Sequence, residues 1–383
     1  MDRLIVKNFG PLKDVDIELN KINLFIGENG SGKSVLAKLV TILTSYNTKT
    51  KEDFFKQIKY FKINYMTQKT EVIFYLDNKK NFELKKEKIF IKSKMEIKYD
   101  NLSNRENEIR GILSENSKYS EEANKILKEI ALGKSFLEKM IKSKRDLSLT
   151  SQYIPAERNF VSIISKSLSS FIVSDIPLPR FFLQFSSEFE KAGDDLKELK
   201  FLNVKYVNGD GLDRHKVYFN DEEYLSLDES SSGIQSALPL YLTVKYFANK
   251  HQSIIIEEPE QNLFPKAQSE TIQYIIEQVS DDNNLFLMTH SPYVLSTLNT
   301  LMMAYKTGNL GEEAKKEVNK LFKEEQWINP KDFSAYYLEN GVARDIKGRT
   351  GLISENEIDD ISDDMACDFE ELLELYSEHS HDK

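Results

Sequence analysis

The segment Ile22-Asn23-Leu24-Phe25-Ile26-Gly27-Glu28-Asn29-Gly30-Ser31-Gly32-Lys33-Ser34 constrains this chain more than any other. Its apolar half reads as a buried strand. Residues 27–34 then match G-x-x-x-x-G-K-[ST] at every fixed position. Val35, Leu36, Leu39 and Val40 follow on one face of a helix. Strand, glycine-rich turn and helix in this order predict a loop whose N–H groups surround an anion at the positive end of the new helix. Gly27, Gly30 and Gly32 allow the tight path, and Glu28, Asn29 and Ser31 fill the loop between them. Lys33 is placed to reach the β- and γ-phosphates of a nucleotide, and Ser34 to offer a hydroxyl to Mg²⁺. The plainer reading is a glycine-rich turn that happens to fit.

Ile254-Ile255-Ile256-Glu257-Glu258-Pro259-Glu260 is the second signal. A buried strand ending in acids sets carboxylates at the edge of a sheet where ligands bind. Glu257 takes the metal role, through water, and Glu258 the role of base for an attacking water; the alternative is a solvated turn. In Met288-Thr289-His290-Ser291, His290 follows another core strand, as a sensor of the γ-phosphate or as a structural donor. Ser231, Ser232 and Gly233 open a further helix, either as an ordinary serine cap or as a second anion site. Lys33 already has its own loop, so the anion would be a γ-phosphate from another subunit. Pro239 lies inside that helix and can kink it.

A chain of 383 residues can bury a large core, and one domain with an insertion is the natural division. There is no run of 18 apolar residues, which predicts no membrane span. The chain starts directly in a strand, Leu4 to Phe9, rather than a secretory leader. Cys367 is alone, which excludes an internal disulfide and a cysteine zinc site and points to the cytoplasm. A net charge of −10 argues against coating DNA over the whole surface. Residues 49–98 are nonetheless lysine-rich, a solvated face or a basic contact surface. Residues 355–382 hold twelve Asp or Glu and no Lys or Arg, a solubilising tail or a partner contact.

Four regions are expected. Residues 1–100 hold the loop and antiparallel strands, including 71–76, 82–84 and 89–91. Residues 101–148 are a short helical insertion, with Ser120 to Glu122 as a start and Ala123, Ile126, Leu127, Ile130, Leu137, Met140 and Ile141 at helical spacing. Residues 149–300 carry a strand at 151–154, helices at 160–172 and 178–198, a strand pair within 203–226, and the acid and histidine motifs. Residues 301–383 carry a hairpin around Asn340-Gly341 and an acidic helix with Phe369, Leu372, Leu373 and Tyr376 on one side.

The loop, the serine-glycine segment, the acid-acid strand end and the histidine, in this order, resemble the ATP-binding-cassette superfamily. The opening RLIVKNFGPLKDVDIELNKINLFIGENGSGKS resembles its RecF, SMC and OLD branch. YIPAERNF, SSGIQSALPL, IIIEEPEQNLFP and LMTHSPYVL look more narrowly like OLD-type AAA ATPases, a group that includes ATPase subunits of anti-phage systems such as Septu, PARIS and certain retrons. The resemblance covers about 1–47 and 148–300. It implies an α/β fold, an ABC-type P-loop head of mixed sheet flanked by helices plus an antiparallel β subdomain. It also implies a homodimer or higher oligomer with ATP and Mg²⁺ between subunits: residues 27–34 bind in cis and Ser231, Ser232 and Gly233 in trans. Gln261-Asn262-Leu263 falls at the D-loop. Arg158 lies near the Q-loop region, where it would touch phosphate, DNA or the neighbouring subunit; Gln152 is the poorer candidate there. Glu257 stands where the family has aspartate, and Ser-Ser-Gly-Ile-Gln replaces Leu-Ser-Gly-Gly-Gln, which permits slow hydrolysis. No Toprim nuclease is expected in this sequence, so a separate effector protein, a nuclease or toxin, is the implied partner. A RecF-like repair ATPase that binds DNA directly is the alternative.

Overall fold

A computed structural model describes residues 2–45, 48, 50–86, 88–91, 102–110, 125–132, 134–135, 151–164, 178–209, 214–248, 250, 253–279, 283–354 and 367–377. The chain enters through β1 (Asp2–Phe9), β2 (Leu12–Leu19) and β3 (Ile22–Gly27). In β1 and β2 polar and apolar residues alternate. Leu4, Val6, Phe9, Val15 and Ile17 are buried, while Arg3–Asp16 and Lys7–Asp14 ion pairs lie outside. Every residue of β3 is buried, the pattern of a strand covered on both faces.

β4 (Glu71–Leu76), β5 (Lys79–Lys85) and β6 (Lys88–Ile91) extend the sheet antiparallel from β1. Asp77 and Asn78, at φ 50° and 60°, supply the left-handed turn that joins β4 to β5. A helix not expected from the sequence, Lys51–Tyr60, packs over this part. Thr50 and Asp53 close a capping box at its start, and Phe54 meets Phe82 with 4.6 Å between ring centroids.

β7 (Gln152–Ile154) is an edge strand of the main sheet. Helical residues occupy 102–110 and 125–132. The expected start at Ser120, and Ala123, Leu137, Met140 and Ile141, lie outside the described residues, as do 165–172. The helix Arg180–Leu196 then leads into β8 (Glu198–Phe201), β9 (Val204–Asn208), β10 (His215–Tyr218) and β11 (Tyr224–Ser226). These form a separate four-stranded antiparallel sheet where the sequence predicted one strand pair. The helix ends earlier than expected because Lys197 takes φ 62°, and Leu199 and Phe201 then alternate with polar residues as a strand.

The helix Ser232–Phe247 follows, with Pro239 inside it. β12 (Ser253–Glu257), the helix Pro265–Gln278 and β13 (Asn284–Thr289) form a parallel crossover unit. Ser291 caps the helix Pro292–Gly308 by accepting from the N–H groups of Tyr293 and Val294. β14 (Phe333–Glu339) and β15 (Val342–Asp345) follow as a hairpin around Asn340 and Gly341, as predicted.

The hairpin, placed within 301–383 from the sequence, is part of the main sheet. β14 pairs in parallel with β3, and β15 meets β2 at Val342 and Asp14. The sheet therefore runs β6-β5-β4-β1-β2-β15-β14-β3-β13-β12-β7. The hairpin joins an antiparallel half to a parallel half, giving the α/β class with mixed sheet and antiparallel subdomain. Residues 367–377 are helical with every side chain exposed, Phe369, Leu372, Leu373 and Tyr376 included. Among the described residues no helix is long and apolar enough to cross a membrane.

Candidate active site

The loop 27–34 leaves the buried end of β3 and enters the helix Lys33–Thr44. Gly27 has φ 152°, and a Cβ there would stand 2.1 Å from the Leu338 carbonyl oxygen of β14. Gly32 has φ 107° and caps the helix; its Cβ would lie 2.6 Å from Leu12 Cδ2. Both backbones disfavour a side chain, and at Gly27 a backbone oxygen also fills the space. The helix start has no side-chain cap and no acid in its first turn, which leaves its N–H groups for an anion.

Lys33 is folded back on the loop. Its Nζ donates to Gly27 O at 2.7 Å, Glu28 O at 2.8 Å and Ser31 Oγ at 3.4 Å. Burial lowers its pKa to about 8, against the attraction of Glu258 and Glu257. Asn29 and Gly30 are exposed at the tip of the loop.

β12 carries the acids to the same edge, two strands from β3. Glu257 is buried, and both its oxygens are bonded: Oε2 accepts from Ser34 Oγ at 2.7 Å and Oε1 from Tyr153 OH at 2.6 Å. Burial pushes its pKa up, and the Tyr153 and Ser34 hydrogen bonds oppose that. Glu258 turns away from the strand at φ 46°, a left-handed conformation that costs about 1–3 kcal/mol and must be held by its surroundings. His290 Nε2 lies 3.7 Å from Glu258 Oε1. Asn29, Lys33, Ser34, Glu257, Glu258 and His290 line one cavity of about 200 Å³. A hydroxyl, two carboxylates, an ammonium group and an imidazole around one space can bind a polyanion with a divalent ion and move a proton.

Ser231, Ser232 and Gly233 are outside this cavity. The two serines are exposed at the start of a helix that has no side-chain cap and no acid in its first turn. The preceding loop is fixed by Gln235, which donates to Asp228 O and Ser230 O. Gly233 packs on the turn after β12, with Asn262 O 3.0 Å from where its Cβ would be.

Arg158 corrects the sequence reading. It is fully buried and donates to the carbonyls of Pro155 (3.2 Å), Ser236 (3.1 Å), Glu257 (2.7 Å) and Glu258 (2.5 Å), away from the loop cavity. A guanidinium in the interior must satisfy its donors there, and backbone carbonyls do so here. Burial lowers its pKa to about 10, partly offset by Glu260, Glu258 and Glu257, so it stays charged at neutral pH. Gln152 also faces elsewhere, donating to Glu188 Oε2 at 2.6 Å.

Two residues at the site were not anticipated. Tyr153 reaches Glu257 because β7 runs parallel beside β12. Its period-2 opposition to Gln152 was the available signal. Glu260 Oε1 accepts from Thr289 Oγ1 at 2.7 Å and His290 N at 2.9 Å, which fixes the backbone that presents the histidine. It stood inside the acid motif, without a role.

An SMC head bound to the C-winged helix domain of ScpA is similar in structure, at 12% identity and a TM-score of 0.40, covering 90% of this chain and 96% of that one. An SMC head domain from Thermotoga maritima is 12% identical, with a TM-score of 0.37 and coverage of 90% and 97%. The ADP conformation of an ATP-binding cassette of an ABC transporter is 15% identical, with a TM-score of 0.36 and 92% of each chain covered. No curated protein sequence matches. The family AAA_15, AAA ATPase domain, matches residues 1–295, which hold the loop, the acid strand end and the histidine. On that match, which spans most of its length, the chain belongs to the AAA ATPase domain family.

Proposed function

We propose that this protein binds and hydrolyses ATP as an ABC-type ATPase and closes as a head-to-tail dimer around two ATP molecules. The observation that carries this reading is the convergence of Lys33, Ser34, Glu257, Glu258 and His290 on one cavity. In this reading Lys33 gives up the loop carbonyls for the β- and γ-phosphates. Ser34, and Glu257 through water, would hold Mg²⁺; the two side chains already meet at 2.7 Å, and a hard cation takes oxygen ligands of this kind. The ion, when bound, supplies positive charge to the phosphate oxygens. Glu258 orients and deprotonates the attacking water, and His290 reads the γ-phosphate from beside it. Glu257 in place of aspartate suits slow turnover.

Ser231, Ser232 and Gly233 act in trans. Their exposure outside the cavity supports that role, because it leaves them accessible to an anion carried by a second subunit. The partner we infer is a separately encoded effector, a nuclease or toxin, in cytoplasmic anti-phage defence. The sequence resemblance supports this level of the reading.

The test is the solution mass of Glu258→Gln with and without Mg·ATP, by light scattering. A shift from monomer to dimer is expected; constant mass with ATP bound rejects the ATP-driven sandwich. One observation favours direct DNA binding as a second reading. Lys51, Lys56, Lys59 and Lys62 are all exposed on one short segment. Salt-sensitive retention of DNA by the purified protein supports that reading, and its absence at low salt rejects it.

A further inference from the structure

The turn after β12 and the helix Ser232–Phe247 touch at several points, and Arg158 lies between them. Its Nη2 donates to Glu258 O, Nη1 to Glu257 O and Pro155 O, and Nε to Ser236 O, one turn beyond the serine-glycine start of the helix. Ser236 Oγ also donates to Gln261 Oε1 at 3.1 Å, and Gly233 is pressed against Asn262 O. The helix start and the turn that presents Glu258 are therefore joined through several contacts.

Glu258 needs such support. At φ 46° it holds a conformation that a glutamate rarely adopts. Three hydrogen bonds to its backbone define it: its N–H donates to Met288 O at 2.8 Å, and its carbonyl accepts from Gln261 N at 3.0 Å and from the Arg158 side chain. This path turns the carboxylate toward His290 instead of continuing the strand. Of the groups that hold Glu258, Gln261 and Arg158 also reach the helix at Ser236, Gln261 by one bond to the hydroxyl and Arg158 by its guanidinium, which bonds Ser236 O, Glu257 O and Glu258 O at once.

We propose that Arg158 is a positioning residue that ties the serine-glycine helix to the backbone of Glu258, so that an anion engaged at Ser231, Ser232 and Gly233 sets the base of the same subunit's own cavity. The guanidinium is committed to backbone carbonyls and acts through Glu258. A lysine keeps the charge but lacks the rigid fork whose three nitrogens meet Ser236 O, Glu257 O and Glu258 O separately.

The inference rests on the hydrolytic reading above, and the experiment separates the two. Turnover and the affinity for a fluorescent ATP analogue are measured for the wild type, Arg158→Lys, Glu258→Gln and the double variant. Arg158→Lys is expected to bind within about twofold of wild type while kcat falls about tenfold or more. In the Glu258→Gln background the lysine is expected to cost nothing further, since the base it positions is gone. Arg158→Gln, which buries no unpaired charge, serves the same cycle if the lysine variant does not fold. An unchanged kcat, a loss of affinity equal to the loss of rate, or the same fractional loss in both backgrounds overturns the role of Arg158 and leaves the hydrolytic reading intact. A wild type that binds ATP and never turns it over overturns both.

Discussion

The Ser34 hydroxyl donates to Glu257 Oε2 at 2.7 Å, across 223 positions of sequence. The contact joins the first turn of the loop helix to the end of β12, and β13 between β3 and β12 fixes the spacing. Two oxygens so close are a ready pair for one divalent ion. Ser34→Ala is expected to leave ATP affinity in EDTA unchanged and to remove about tenfold of the gain that Mg²⁺ gives, roughly the 1–2 kcal/mol of one lost polar contact. Fluorescence titrations with Mg²⁺ and with EDTA check this. An equal loss in both conditions would mean that Ser34 shapes the loop and does not serve the ion.

Lys33 makes the site sensitive to alkali. Its pKa is lowered to about 8 by burial, and a phosphate in the loop favours the charged form and raises it. Binding then takes up a proton wherever the free lysine is neutral. Affinity should be flat below about pH 8 and fall by up to about tenfold per unit above it, until the pKa of the bound state is passed. Lys33→Ala should bind weakly at every pH and show no such slope. Titrations from pH 7 to pH 9.5 decide it; parallel curves for the two proteins would remove Lys33 from the phosphate.

Tyr153 holds the other oxygen of Glu257. Tyr153→Phe leaves a buried carboxylate oxygen without its donor, at a cost of about 1–3 kcal/mol. The lost hydrogen bond favoured the charged form, so the already raised Glu257 pKa climbs further. A carboxyl group raised on folding costs stability above its unfolded pKa, and that cost disappears as pH falls and the group is protonated in both states. The deficit of the variant in urea unfolding should thus be largest near neutral pH and shrink toward pH 4. A deficit independent of pH would make Tyr153 a packing residue only.

What could be read from the sequence was what is encoded locally. The loop needs glycine at 27 and 32 for reasons of φ and space that leave a signature within eight residues. Pro292 after Ser291 announced a helix, and Asn340-Gly341 a turn. The neighbours of β14 were not legible, because pairing with β3 depends on residues some three hundred positions away. Arg158 misled because a charged residue beside site motifs suggests a ligand; only the fold shows four carbonyls around it. Tyr153 was missed for the same kind of reason, since the neighbour of β7 is set by topology.

The hairpin placement yields the last prediction. Gly341 has φ 80°, and a Cβ there would stand 2.1 Å from Pro11 O and 2.9 Å from Lys13 N. Its own carbonyl accepts from Lys13 N at 2.8 Å and Asp14 N at 3.1 Å, so the turn is fastened to the β1–β2 connection. Pro11 in turn borders the loop cavity, and Leu338 O at the end of β14 presses on Gly27. Gly341→Ala must push these segments apart and should cost about 2 kcal/mol or more of stability, from strain and the lost hydrogen bonds together. ATP affinity should fall with it. Removing residues 355–383 should leave both unchanged, because the helix 367–377 buries none of its side chains. Urea unfolding and ATP titration of the two proteins side by side make the comparison. A silent Gly341→Ala, or a tail deletion that weakens ATP binding as much, would show that the loop is supported from somewhere other than the hairpin.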